Sequence, residues 1–361
     1  MVPRLNPQIQ PLLDRLIKYE GELGLQVAAY LDGELVLDAW AGTAAPDLEA
    51  PINGETLFPV FSVTKGVAST AVHLLAERGQ LNYETPITHY WPEFGVNGKE
   101  SLKVRHALGH LAGLHIMPPD LDHRKLANWD YMTGAIAASS PTHSPGASQI
   151  YHAMTFGWIA GELVHRIDGR PFGQFLEEEI KAPLGITDLY CGIPEHLGNC
   201  ITQLIDQNAE TPANLGNGSV PEWIQPLYAW MNRRDAQRAC IPASSGIMSA
   251  RAIARHYAAL LPGGIDGVEL LPPTRIALVT QRQWPLDREN ALKFGLGYAL
   301  GGEGSIYGEN PHAFGHGGYG GSIAFADPET RFAFALCKNK LNVGDTTKCI
   351  ANACREALEL A

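Results

Sequence analysis

The chain has 361 residues, with 27 Lys and Arg against 38 Asp and Glu, a formal net charge of −11. A groove that tracks phosphates needs clustered basic residues to displace counterions, and basic neighbours occur here only at Arg124-Lys125 and Arg233-Arg234, so nucleic acid is excluded as the partner. With 18% charged and 45% hydrophobic residues the chain can bury a large core, and at ~150 residues per domain its length corresponds to about two domains or one large composite.

From Met1 to Pro11 there is no apolar stretch behind a basic start, and no later run reaches the ~18 apolar residues of a membrane span. The expectation is a cytoplasmic protein with no signal peptide and no span. Six cysteines (Cys191, Cys200, Cys240, Cys337, Cys349, Cys354) show no C-x-x-C spacing and are expected as reduced thiols, with neither metal nor cofactor.

Residues 5–19 repeat apolar side chains at helical spacing (Leu12, Leu13, Leu16, Ile17), which predicts an opening helix. Two β-rich runs follow, 26–31 and 34–40, separated by Asp32-Gly33, a hairpin signal. From Ser62 the residues Val63, Val67, Ala71, Leu74 and Leu75 again follow helical spacing, up to a cap glycine at Gly79. Residues 80–240 read as helices punctuated by Pro and Gly, without comparable strand pairs. Period-two alternation returns in 322–326 and 331–337 around the turn Asp327-Pro-Glu-Thr, and a helix over 346–360 closes the chain. Strands at both ends with helices between them predict an α+β fold. Its antiparallel sheet is built from the N- and C-terminal segments and flanked by helices, with a mostly helical subdomain inserted. The expected parts are residues 1–79 with 240–361 as the sheet subdomain and 80–239 as the helical one, with a cleft between.

Ser62-Val-Thr-Lys65 places a serine at the opening of a helix and a lysine one turn later on the same face. A capping box would carry Glu or Gln at that third position, whereas here a cation faces the positive end of the helix dipole, which together with burial lowers a lysine pKa. With 13 Ser and 10 Lys, an S-x-x-K arises by chance about 0.4 times, so the spacing alone decides little.

Context decides more. Ser62-Val-Thr-Lys65 resembles the S-x-x-K signature of serine β-lactamases, DD-peptidases and their esterase relatives. Other pieces resembling that superfamily follow in its order: the stretch from Leu102 to His110 and Leu114, Pro145-Gly-Ala-Ser-Gln-Ile-Tyr151, Asp168-Gly-Arg-Pro-Phe, and Ala182-Pro-Leu-Gly-Ile-Thr-Asp188. Ala243-Ser-Ser-Gly-Ile-Met-Ser249 and Gly315-His316-Gly-Gly-Tyr-Gly-Gly-Ser322 complete the series. The resemblance implies a β-lactamase/transpeptidase-like fold in which Ser62 is the nucleophile and Lys65 and Tyr151 exchange its proton. A phenol can do so if a neighbouring cation lowers its pKa below ~10. It also implies an oxyanion hole from the backbone N–H groups of Ser62 and Tyr319.

Two motifs depart from the penicillin-recognising pattern. Ala153 stands where the asparagine of Y-x-N would be, and His316-Gly317-Gly318 stands in place of K-T-G, removing a fixed positive charge. Both losses point away from anionic β-lactams and towards neutral esters, and H-G-G resembles the third motif of family-VIII-type carboxylesterases and related acyltransferases. His316, Gly317 and Gly318 are therefore expected to touch substrate, and His316 to orient either the substrate or the Tyr151 hydroxyl.

Rival chemistries fit less well. No G-x-S-x-G occurs, the glycine run at 317–321 precedes a strand and no helix, and His106 with His110 lacks a third zinc ligand. No E-x-x-L-N occurs, so deacylation would reuse Tyr151 and Lys65. The expected activity is carboxylic (or thio-) ester cleavage, by hydrolysis or acyl transfer, through acyl-Ser62, with a small-molecule ester as partner. An amide hydrolase (a D-aminopeptidase or weak β-lactamase) and a non-catalytic binding protein of the same fold stay open. Residues 117–144 and 214–237, with Trp129, Tyr131, Trp223, Tyr228 and Trp230, are expected to form the cleft walls. Nothing in the sequence points to a particular oligomeric state.

Overall fold

The computed structural model describes residues 2–46, 50–197, 200–206, 217–285, 287–288, 291–341 and 344–360. Residues 214–216 of the expected cleft wall lie outside the described residues. In chain order the elements begin with α1 (Asn6–Tyr19), β1 (Gly24–Leu31), β2 (Glu34–Gly42), β3 (Phe58–Phe61) and α2 (Thr64–Glu77). The helical middle holds α3 (Val104–Leu108), α4 (His123–Ala127), α5 (Trp129–Ala138), α6 (Thr155–Asp168), α7 (Phe172–Leu176) and α8 (Ala182–Leu184). Then come β4 (Leu189–Cys191), β5 (Ile205–Asp206), α9 (Leu227–Met231), α10 (Arg234–Arg238), β6 (Gly246–Met248), α11 (Ala250–Ala258) and α12 (Pro273–Val279). The chain closes with β7 (Ala299–Leu300), β8 (Phe314–Gly317), β9 (Ile323–Asp327), β10 (Phe332–Lys338), β11 (Lys340–Leu341) and α13 (Thr346–Ala357).

The main sheet has six strands in the order β2-β1-β10-β9-β8-β7, all antiparallel, so the first hairpin is zipped onto the last. Asp32 and Gly33 both take positive φ, the geometry of the two-residue hairpin turn their sequence announces. Period two then sorts side chains by size. Phe332, Phe334 and Leu336 of β10 point with Leu25, Val27 and Ala29 of β1 into a layer under α1 and α13. Ala333, Ala335 and Ala28 point the other way, into the core shared with α11 and α2, where a small side chain lets a helix lie close to the strands. Both sheet faces are therefore buried. The α+β class expected from the sequence is the class observed.

One feature of the middle differs from the expectation. Residues 80–240 hold two strands: β4, which pairs with β6 in a small sheet ordered β3-β6-β4, and β5, which pairs in parallel with β11. At three and two residues these strands are too short to show a period-two pattern. Among the described residues no helix is long and apolar enough to cross a membrane.

Candidate active site

The chain leaves β3 through Phe61, whose φ of 48° is left-handed although the residue is not glycine, a conformation that costs about 1–2 kcal/mol. Such strain persists only where the surroundings enforce it. Here it sets Ser62 between the strand and α2, where the Ser62 carbonyl accepts from Lys65 N–H at 3.0 Å. Ser62 does not cap α2 with its side chain. Its hydroxyl instead meets the side chain of Lys65, Nζ to Oγ 3.0 Å.

Lys65 is fully buried, and its Nζ also donates to two main-chain carbonyls, Ala153 O at 2.7 Å and Ala243 O at 2.9 Å. No carboxylate compensates it, and desolvation pushes its pKa well below the usual lysine value. A neutral amine has two N–H groups and one lone pair. When Lys65 gives up its proton, the two carbonyls, which are acceptors only, keep both N–H groups and leave the lone pair facing the Ser62 hydroxyl, the arrangement of a general base beside its nucleophile. Ala153, which lacks the amide of the penicillin-recognising pattern, serves Lys65 through its backbone.

Tyr151 lies just before α6, with its ring centroid 4.9 Å from Lys65 Nζ and a hydrogen bond to Ser62. Here the structure corrects an expectation. Burial of the Tyr151 hydroxyl itself pushes its pKa up, with the bond to Ser62 opposing the shift. Tyr151 thus rests as a phenol beside Lys65. His110, itself at a positive φ of 61°, packs its ring 4.8 Å from that of Tyr151 and is held neutral by burial. His106 instead accepts from Lys103 N–H, so the two histidines do not converge on a common point.

His316, on β8, is 3% exposed, and its Nδ1 lies 2.8 Å from the Gly317 carbonyl. A carbonyl cannot donate, so Nδ1 carries the proton and Nε2 the lone pair. Among the described residues that Nε2 has no hydrogen-bond partner, the Tyr151 hydroxyl included. Burial, then Lys65, hold the His316 pKa down at about 3. At the end of the same strand a Cβ on Gly318 would come within 2.3 Å of Val60 O, so only glycine lets β8 close against β3. Next to it Tyr319 stands edge-on to Phe61 and donates its hydroxyl to Asp206 at 2.9 Å.

Ser62, Tyr151, His316, Gly317, Gly318 and Tyr319, all singled out from the sequence, line one cavity of about 330 Å³, with Lys65 behind Ser62. One wall is aliphatic and aromatic: Val220, Ile224, Leu227, Trp230 and Met231. Tyr151, Phe294 and His316 form a ring cluster in the lining, their centroids 5.7–6.2 Å apart, and Tyr307 also lines the cavity. Of the aromatic residues expected in the walls only Trp230 lines the cavity, with Trp223 packed edge-on behind it. Residues 117–144 contribute nothing to the lining, because α5 packs against α6 and Trp129 Nε1 donates to Glu162 at 2.6 Å. Phe294 and Tyr307 escape the sequence analysis, since they sit in loops with no motif around them.

Residues 12–352 match the Beta-lactamase family. The chain belongs to that family. It is 35% identical over 333 residues to the "Esterase/beta-lactamase LipL" of Mycobacterium tuberculosis (strain ATCC 25618 / H37Rv), covering 88% of this chain and 77% of the relative. A penicillin-binding protein homologue from Caulobacter crescentus superposes with a TM-score of 0.88 at 30% identity, covering 99% of this chain and 98% of the other. A family VIII carboxylesterase does so with a TM-score of 0.88 at 28% identity, covering 98% of each chain. The fold and superfamily implied by the sequence motifs are thus those of the family: the chain is a serine hydrolase of the serine β-lactamase/DD-peptidase superfamily.

Proposed function

We propose that this chain is a carboxylesterase that cleaves neutral esters of apolar acids through an acyl-Ser62 intermediate. The observation that carries the reading is the buried Lys65 Nζ, 3.0 Å from Ser62 Oγ and otherwise held by two main-chain carbonyls, so that once it is deprotonated its lone pair can meet the Ser62 hydroxyl. Ser62 Oγ attacks the ester carbonyl as its proton passes to Lys65, and the carbonyl electrons collect on oxygen beside the N–H groups of Ser62 and Tyr319, each such donor being worth about 3 kcal/mol of barrier. Collapse breaks the bond to the alcohol. Tyr151 hands its hydroxyl proton to the departing alkoxide and is reprotonated from Lys65. Water then releases the acyl group by the reverse sequence, and an alcohol in its place gives acyl transfer.

The preference for neutral esters rests on the cavity. Among the described residues no Arg, Asp, Glu or Lys lines it, and the histidine that replaces the third-motif lysine is held neutral. An acidic substrate would leave its carboxylate desolvated and unpaired there. The Mycobacterium tuberculosis relative is named both an esterase and a β-lactamase, so the two substrate classes are compared directly. We expect kcat/KM for p-nitrophenyl butyrate to exceed that for nitrocefin by about 100-fold or more, a difference of about 3 kcal/mol and the size of a lost charge-assisted hydrogen bond. Comparable values would favour the amide-hydrolase reading. Absence of both activities, with Ser62 unlabelled by an acylating probe, would favour a binding protein.

A further inference from the structure

His316 Nε2 is a buried acceptor with nothing to accept. Its lone pair is fixed by the Nδ1 bond to the Gly317 carbonyl, and its ring lines the cavity. A buried polar atom without a partner is destabilising, so its retention at a substrate wall calls for a ligand that satisfies it. The side of the cavity identifies which half of the ester that is. His316 stands in one ring cluster with Tyr151 and Phe294, while Val220, Ile224, Leu227 and Met231 supply aliphatic lining from a separate stretch of chain. In the reaction proposed above Tyr151 protonates the departing alkoxide, so the alcohol half lies on the His316 side and the acyl chain on the aliphatic one. The ligand atom must be a hydrogen-bond donor. A carboxylate has none, and an ammonium would be buried without a counter-charge, which leaves a neutral donor, and the hydroxyl is the simplest one the alcohol half of an ester can carry.

We propose, on the strength of the esterase reading, that His316 Nε2 receives a hydroxyl carried by the alcohol half of the substrate, so that the site is built for monoesters of diols and polyols. A site made to hydrogen-bond a hydroxyl discriminates against the analogue that lacks it, because the buried partner is left unpaired.

The test is a pair of isosteric esters, 2-hydroxyethyl butyrate and propyl butyrate, which differ only by a terminal hydroxyl for a methyl. Each kcat/KM is divided by the ester's alkaline hydrolysis rate to remove its intrinsic reactivity. The wild type should then favour the hydroxy ester by about tenfold or more. His316→Phe, which fills the space without an acceptor, should bring the ratio near one, and His316→Gln, whose amide oxygen accepts, should keep part of it. A wild-type ratio near one overturns the proposal whether or not the variants fold, as does a preference that survives in His316→Phe. Hydrolysis of p-nitrophenyl butyrate, which carries no hydroxyl, reports on the esterase reading alone. If that fails both ideas fall, whereas turnover with a ratio of one removes only the diol preference.

Discussion

Ser62→Ala is expected to bring p-nitrophenyl butyrate hydrolysis down to the background rate, a loss of about 10⁴-fold or more, and Lys65→Met to lower kcat by about 10³-fold, within the range of a general base. The two losses should not multiply. Every proton Lys65 moves, to the alkoxide through Tyr151 included, is the one it takes from the Ser62 hydroxyl 3.0 Å away, so the double variant should be no slower than Ser62→Ala alone. Methionine nearly matches lysine in length but has no basic nitrogen. It leaves Ala153 O and Ala243 O without their donor while also removing a desolvated amine, so circular dichroism on each variant separates lost chemistry from lost fold. Stopped-rate assays at saturating substrate measure the losses. A Lys65→Met variant that folds and keeps activity within a few-fold of wild type would remove Lys65 from the mechanism.

The second large effect is on stability. His73, His152, His256 and His316 are buried, and desolvation lowers the pKa of each from 6.5 to about 3. Each stays neutral in the folded chain and gains its proton at an ordinary pKa when the chain unfolds. Between pH 6.5 and about 3 the unfolded state therefore holds more protons, and stability falls as pH falls, by about 1.4 kcal/mol per pH unit for each group. For four such groups the loss from pH 7 to pH 5 is about 8 kcal/mol, comparable with the whole stability of an ordinary domain. The melting temperature should fall by about 10 °C or more over that range in calorimetry or circular dichroism. A melting temperature that stays level from pH 7 to pH 5 would mean that these imidazoles are protonated in the folded chain.

Much of this molecule is legible in the sequence, and the rest is hidden for identifiable reasons. The hairpin at Asp32-Gly33 and the alternation of Phe and Ala in β10 announce the sheet, because strand geometry writes itself into a period of two. Ser62 and Lys65 are visible because one helical turn brings them together, and Tyr151 because Pro145-Gly146 precedes it in a family-like stretch. The partners of Lys65 are not visible, since the carbonyls of Ala153 and Ala243 are main-chain atoms that any residue supplies. The upward shift of Tyr151 also needs three dimensions, as it follows from the burial of its own hydroxyl. Phe294 and Tyr307 reach the cavity through loop paths with no periodicity, and Trp129 of the expected wall is bonded to Glu162 of α6 instead.

The central claim is that the reaction passes through an ester on Ser62, and rapid-quench mass spectrometry of the enzyme mixed with p-nitrophenyl butyrate tests it most directly. The account predicts that within the first turnovers the protein gains the mass of one butyryl group, that peptide mapping places it on Ser62, and that the adduct disappears at the rate of turnover. Steady hydrolysis with no adduct on Ser62, or an adduct that persists unchanged in Ser62→Ala, would contradict it.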